Sequence, residues 1–152
     1  MDIKKHIAAL GFVPKNGTNG IYHKIYVDYA IEIDFETQNI NYGGAITAES
    51  KTTQNFSQPE NFVVLECVDR LLTKGYKPQN IVLEKTWPSG HGTSGRLDIC
   101  VNREDGTPYM LIECKTFGKE YNKELARIRK DGGQLFTYFQ LSGSKADVLM
   151  LY

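Results

Sequence analysis

Two runs of alternating side chains, residues 96–102 and 109–115, flank Arg103-Glu104-Asp105-Gly106-Thr107-Pro108, and no other feature of the sequence restricts the fold as tightly. Asp-Gly is a preferred pair for a two-residue type I′ hairpin turn. That turn sets a register in which Asp98 faces Glu113 and Arg96 faces Lys115. One face of the predicted hairpin then carries Leu97, Ile99 and Val101 against Cys114, Ile112 and Met110, all apolar. The other carries Arg96, Asp98 and Cys100 against Lys115, Glu113 and Leu111. A pair of this kind packs one side on a core and leaves the other free for chemistry.

The rest of the chain supplies the layers around that hairpin. Ile25, Val27, Tyr29, Ile31, Ile33 and Phe35 recur every second residue, which predicts one long half-buried strand, followed by a turn at Glu36-Thr37-Gln38-Asn39 into a partner around Ile40 and Tyr42. Residues 43–57 are small and polar and read as a connector. Ser57-Gln58-Pro59-Glu60 predicts a helix start, with Val64, Val68, Leu71 and Leu72 on one face and Gly75 at the end. Strands are expected over 81–87 and 146–152, a Gly/Ser-rich loop over 88–95, and a helix over 119–141 interrupted at Gly132-Gly133. The order predicts an α/β fold, a central mixed sheet flanked by helices, with an N-terminal β-hairpin unit. Two parts are expected, a β-rich appendage over 1–50 and the main domain over 51–152.

The 152 residues, 41% hydrophobic and 24% charged, suffice for one compact domain with a sizeable core. Eighteen Lys and Arg balance eighteen Asp and Glu, so any phosphate-binding surface has to come from local clustering. Cys67, Cys100 and Cys114 fit neither a zinc knuckle nor a disulfide framework and read as small buried hydrophobes in a reducing compartment. With no signal peptide and no long apolar run, a soluble, cytoplasmic protein is expected. The apolar finish Val148-Leu149-Met150-Leu151-Tyr152 suggests the N-terminal piece of a larger polypeptide.

On the predicted register Asp98 and Glu113 have Cα atoms about 4.5–5.5 Å apart, near enough to share one ion. Two hard carboxylates suit Mg²⁺ or Mn²⁺ rather than zinc. Lys115, two residues beyond Glu113 on the same face, would set an ammonium where it can orient an attacking water and offset negative charge on a phosphorane-like transition state. The bland reading of the trio is a solvated sheet face with a cross-strand ion pair. The second carboxylate in register and the apolar reverse face weigh against it.

Gly95-Arg96-Leu97-Asp98, fourteen residues, then Glu113-Cys114-Lys115 resembles the core of the PD-(D/E)XK nuclease superfamily, with Leu97 where the name has Pro. Pro59-Glu60 resembles the helical Glu of such nucleases, and Gln134-Leu135-Phe136-Thr137-Tyr138 resembles a Gln-x-x-x-Tyr motif of their restriction and recombination branches. Over about 57–152 the sequence is most similar to the N-terminal nuclease domain of type I restriction enzyme R (motor) subunits. That resemblance implies Mg²⁺-dependent endonucleolytic cleavage of double-stranded DNA, with catalytic Asp98, Glu113, Lys115 and Glu60. It implies a metal held by Asp98, Glu113 and the Cys114 backbone carbonyl. It also implies partner methyltransferase/specificity and helicase-type motor regions, with ATP used only by a motor absent from this chain.

Several residues keep two readings. Glu60 is either a capping-box partner of Ser57 or a side chain turned toward the sheet to hold a metal-bound water. Gln134 and Tyr138 share a helix face and read as DNA-binding, or Tyr138 as core beside Phe136 and Phe139. Gly132-Gly133 would admit a phosphate backbone. Lys119, Lys123 and Arg127 form a phosphate-contacting stripe, or, with Glu120 and Glu124 between them, a solvated ion-paired helix. His91 reads as an ordinary loop residue near the site. The rival functions are a recombination or repair exonuclease on the same core and a DNA-binding module that has lost catalysis.

Overall fold

The computed structural model describes residues 2–88 and 95–152, so the His91 reading lies outside the described residues. Among the described residues, two sheets and four α-helices make the predicted α/β fold. Helix α1 (Ile3–Ala9) opens with Asp2, whose carboxylate accepts from the Lys5 N–H. An antiparallel sheet follows in the order β1 (Val13–Pro14), β2 (Ile21–Tyr26), β3 (Tyr29–Asp34) and β4 (Asn39–Asn41). The single strand expected over 25–35 is two strands. Tyr26 pairs with Tyr29 around a two-residue loop, Val27-Asp28, and Ile25 and Val27 are exposed. A two-residue loop pairs residues three apart, so the alternation changes faces across the turn: Ile31 and Ile33 are buried on the face of Lys24 and Tyr22, while Ile25 lies on the other.

The second sheet has the order β5 (Thr47–Ala48), β6 (Ile81–Thr86), β7 (Arg96–Asn102), β8 (Pro108–Glu113) and β9 (Val148–Leu151). Strands β6, β7 and β8 are antiparallel, while β5 on β6 and β9 on β8 are parallel. The supposed connector over 43–57 therefore contains a strand. The parallel step from β8 to β9 uses α3 (Lys119–Asp131) and α4 (Gly133–Leu141), a crossover helix pair of the kind parallel pairing needs.

Both faces of this sheet are covered. Ile99, Val101, Met110, Ile112 and Cys114 share one core with Val64, Leu65, Val68 and Leu71 of α2 (Glu60–Thr73), and with Ile31, Ile33 and Ile40 of the N-terminal sheet. That core runs across the expected border at residue 50. Val82, Leu97, Cys100 and Leu111 share a second core with Leu135 and Tyr138 of α4. The hairpin face expected to be polar is thus polar only near Asp98 and Glu113. Leu97, expected with Ile99 and Val101, packs instead beneath α4. The change coincides with Glu84 on β6, which has φ of +55° and marks the point where the β6–β7 ladder skips a pair. A left-handed residue inside a strand turns the side-chain alternation over.

Helix α2 ends as its glycine predicts. Gly75 has φ of +91°, its N–H donates to Leu72 O, and Tyr76 N–H donates to Leu71 O, the paired bonds of a Schellman cap. Its start differs from expectation. Pro59 occupies the cap with no side-chain hydrogen bond, and the Ser57 hydroxyl donates to Asn55 Oδ1. The capping box is not formed, which frees Glu60 for other partners. No helix among the described residues is long and apolar enough to cross a membrane.

Candidate functional site

The hairpin reaches the expected register by a different turn. Arg103 N–H donates to Thr107 O, Gly106 N–H to Arg103 O, and Gly106 sits at φ of +80°, a three-residue loop with left-handed Gly. Asp105 fixes it by accepting from the Thr107 N–H and hydroxyl. This loop offsets the register by one residue, and a bulge between Val101 and Asn102 restores it. Ile99 then pairs with Ile112, which sets Asp98 opposite Glu113.

Asp98, Glu113, Lys115, Glu60 and Gln134 line one pocket of about 510 Å³. Lys115 Nζ donates to Glu113 Oε1 at 2.7 Å and to Glu60 Oε1 at 3.1 Å. The Cys114 N–H donates to Asp98 Oδ2 at 2.7 Å. Reciprocal backbone bonds between Tyr152 and the 113–115 segment, each 2.9 Å, tie the end of β8 to β9. Lys115 and Glu113 are therefore held by both backbone and side-chain bonds. Glu60 stands at the first turn of α2 and reaches the sheet, so its capping reading gives way to an ion pair across the pocket.

Burial sets the electrostatics. Removal from water, then repulsion by Glu113, pushes the Asp98 carboxyl up to about 8, although the Cys114 N–H pulls the other way. Burial likewise raises Glu113, partly offset by Lys115. Burial works against the charged form of Lys115, but the bond to Glu113 and the charges of Glu113, Asp98 and Glu60 outweigh it and hold the ammonium above the usual lysine value. Glu113 Oε2 is buried with no hydrogen-bond partner among the described residues. Among the described residues no three His, Cys, Asp or Glu side chains form a ready-made metal cage.

Around this centre the other predicted residues separate. Gln134, at the start of α4, is exposed and lines the pocket. Tyr138 is buried, and its hydroxyl donates to Arg96 O at 2.9 Å, so it anchors the start of β7. A Cβ on Gly95 would lie 2.6 Å from the Tyr138 ring, and glycine is what lets the ring fit. The pair Gly132-Gly133 serves packing too: Cβ atoms there would meet Phe136 at 2.5 Å and Glu124 Oε1 at 2.7 Å. Lys119 and Lys123 are exposed on α3 and make no ion pair among the described residues. Arg127 pairs with Glu124 at 3.3 Å. Glu124 is not solvated. It is buried beneath the α3–α4 junction, where its carboxylate accepts from the Gln134 N–H at 3.3 Å.

Sequence reasoning missed Glu84. It is buried, lines the same pocket, accepts from the Thr52 hydroxyl and pairs with Arg96. The segment carrying Thr52 is pinned by Asn61, whose Nδ2 donates to Thr52 O at 2.8 Å and Asn55 O at 2.9 Å. The register of β6 on β7 would have found Glu84, but the sequence between the two strands is too long to imply a two-residue turn from which a register can be read.

Fold and site together define an α/β protein whose sheet presents a buried and a half-buried carboxylate, Glu113 and Asp98, beside a lysine in an open pocket. A family model described as type I restriction enzyme R protein N terminus matches residues 59–144, more than half of the chain, and the chain belongs to that family. It is thereby a domain of the restriction-enzyme kind. A comparison with curated proteins gave no match.

Proposed function

We propose that this chain is a Mg²⁺-dependent endonuclease domain of a type I-like restriction enzyme, of PD-(D/E)XK type, that hydrolyses phosphodiester bonds of double-stranded DNA. The observation that carries the reading is the convergence of Asp98, Glu113 and Lys115 in one pocket, with Glu113 Oε2 buried and unpaired among the described residues. An orphaned buried carboxylate oxygen is costly unless a ligand meets it. Next to it stands Asp98, whose ionised form is penalised without a cation nearby.

The donors fit a hard cation. Asp98, Glu113 and the Cys114 carbonyl would hold Mg²⁺ or Mn²⁺, and Mg²⁺ keeps several waters, so two carboxylates suffice without a preformed cage. When bound, the ion would polarise the phosphoryl oxygens and favour a hydroxide nucleophile. The chain's own groups do the positioning. Lys115, fixed by Glu113 and Glu60, holds a permanent positive charge beside the reacting phosphate and hydrogen-bonds the incoming water. Glu60 accepts from that water from the helix side. Gln134 at the pocket rim contacts the DNA backbone, and exposed Lys119 and Lys123 add phosphate contacts along α3. Partner methyltransferase/specificity and motor regions would supply sequence recognition and ATP-driven delivery. The Asp98→Ala, Glu113→Ala and Lys115→Ala variants of the assembled enzyme are expected to lose DNA cleavage while melting as cooperatively as the parent. Wild-type cleavage by any one of them removes that residue from the site.

A further inference from the structure

Arg96 and Glu84 lie in the catalytic pocket, and the reading above assigns them nothing. Arg96 sits at the head of β7, two residues before Asp98, where it pairs with Thr86 of β6. Its side chain is 49% exposed, whereas that of Lys115 is 16% exposed and engaged by two carboxylates. Arg96 Nη1 donates to Ser50 Oγ at 3.1 Å and stands 3.5 Å from Glu84 Oε2. Both named contacts use the one nitrogen. The remaining edge of the guanidinium fork keeps the geometry that matches two phosphate oxygens.

Glu84 explains why the fork is steady. Its side chain is 8% exposed, it occupies the left-handed region inside a strand, and it accepts from the Thr52 hydroxyl. A non-glycine residue held there is a place to look for function, because the surroundings must over-determine it. Here the conformation aims the carboxylate at Arg96 and at the segment carrying Ser50 and Thr52, which lies outside the span of the family match. We propose that Arg96 binds a non-reacting phosphate of the DNA strand entering the pocket, and that Glu84 is its positioning residue. The inference rests on the nuclease reading above. A two-residue step along a strand is about 6.6 Å, comparable to the separation of successive phosphates. A phosphate at Arg96 thereby leaves its neighbour at Asp98 and Glu113.

The test measures binding of the 152-residue chain to duplex DNA, with Ca²⁺ replacing Mg²⁺, over a range of salt. Arg96→Ala is expected to weaken binding about tenfold on every sequence and to lower the slope of log affinity against log salt by about 1. Arg96→Lys should restore the slope without the full affinity, because a point charge lacks the fork. Glu84→Gln should keep the slope and weaken binding, since the charge stays and its positioning goes. Should Arg96→Ala melt early, Arg96→Gln, which keeps a donor for Ser50, carries the test. An Arg96→Ala chain with wild-type affinity and slope overturns the inference, as does a wild-type chain with no salt-dependent DNA binding. Retained cleavage by Asp98→Ala would instead sink the nuclease reading and leave the salt slope of Arg96 standing as a separate result.

Discussion

Burying Asp98 beside Glu113 costs the metal-free protein stability, and the cost depends on pH. The Asp98 carboxyl titrates near 8 in the fold against 3.8 for an ordinary aspartate. Between those values the folded state holds the extra proton, so this stabilisation is full below 3.8 and is lost as pH rises through about 8. Glu113 shifts in the same direction. The carboxylates shifted downward, such as Glu49 and Glu66, titrate below this window and do not mask the trend. The melting temperature without divalent cations is therefore expected to fall from about pH 6 to about pH 8.5, less steeply in Asp98→Asn. Calorimetry checks this; a wild-type melting temperature that stays level or rises over the window would show Asp98 ionised like a surface acid. Mg²⁺ should restore most at the high end, where the carboxylates are free to bind it.

At the scale of elements, the hairpin shows what periodicity carries and what it does not. Ile99 and Ile112 are fully buried cross-strand partners, as alternation predicted. Ile99→Asp or Ile112→Asp places an unpaired carboxylate in that core at several kcal/mol and is expected to unfold the chain. A soluble variant with a cooperative melt, read by circular dichroism, would show the faces reversed. The position of Asp98 against Glu113 was legible because the sum of two departures, a three-residue loop and a bulge, cancels. Neither departure is written in local propensity, since Asp-Gly serves both turn types. The α3–α4 break was legible from Gly132-Gly133, but their purpose was not, because it depends on Phe136 and Glu124 packing against them. Glu84 was illegible for the same reason: tertiary contacts set its left-handed backbone and its partners.

For the molecule as a whole, the α/β class and the helix–sheet order were readable because long amphipathic segments impose their own period. The sharing of one core by α2, the five-stranded sheet and the N-terminal sheet was not, because which apolar faces meet is decided at long range. Equal numbers of basic and acidic residues give the chain no global attraction to DNA. The proposed chemistry rests on the pocket where Asp98, Glu113, Lys115 and Arg96 converge, and the central claim is that this pocket binds a divalent cation. Anomalous diffraction from crystals soaked in Mn²⁺ tests it directly. The account predicts a single strong peak bounded by the carboxylates of Asp98 and Glu113; a peak elsewhere, or none in crystals of a chain that still cleaves DNA, would contradict it.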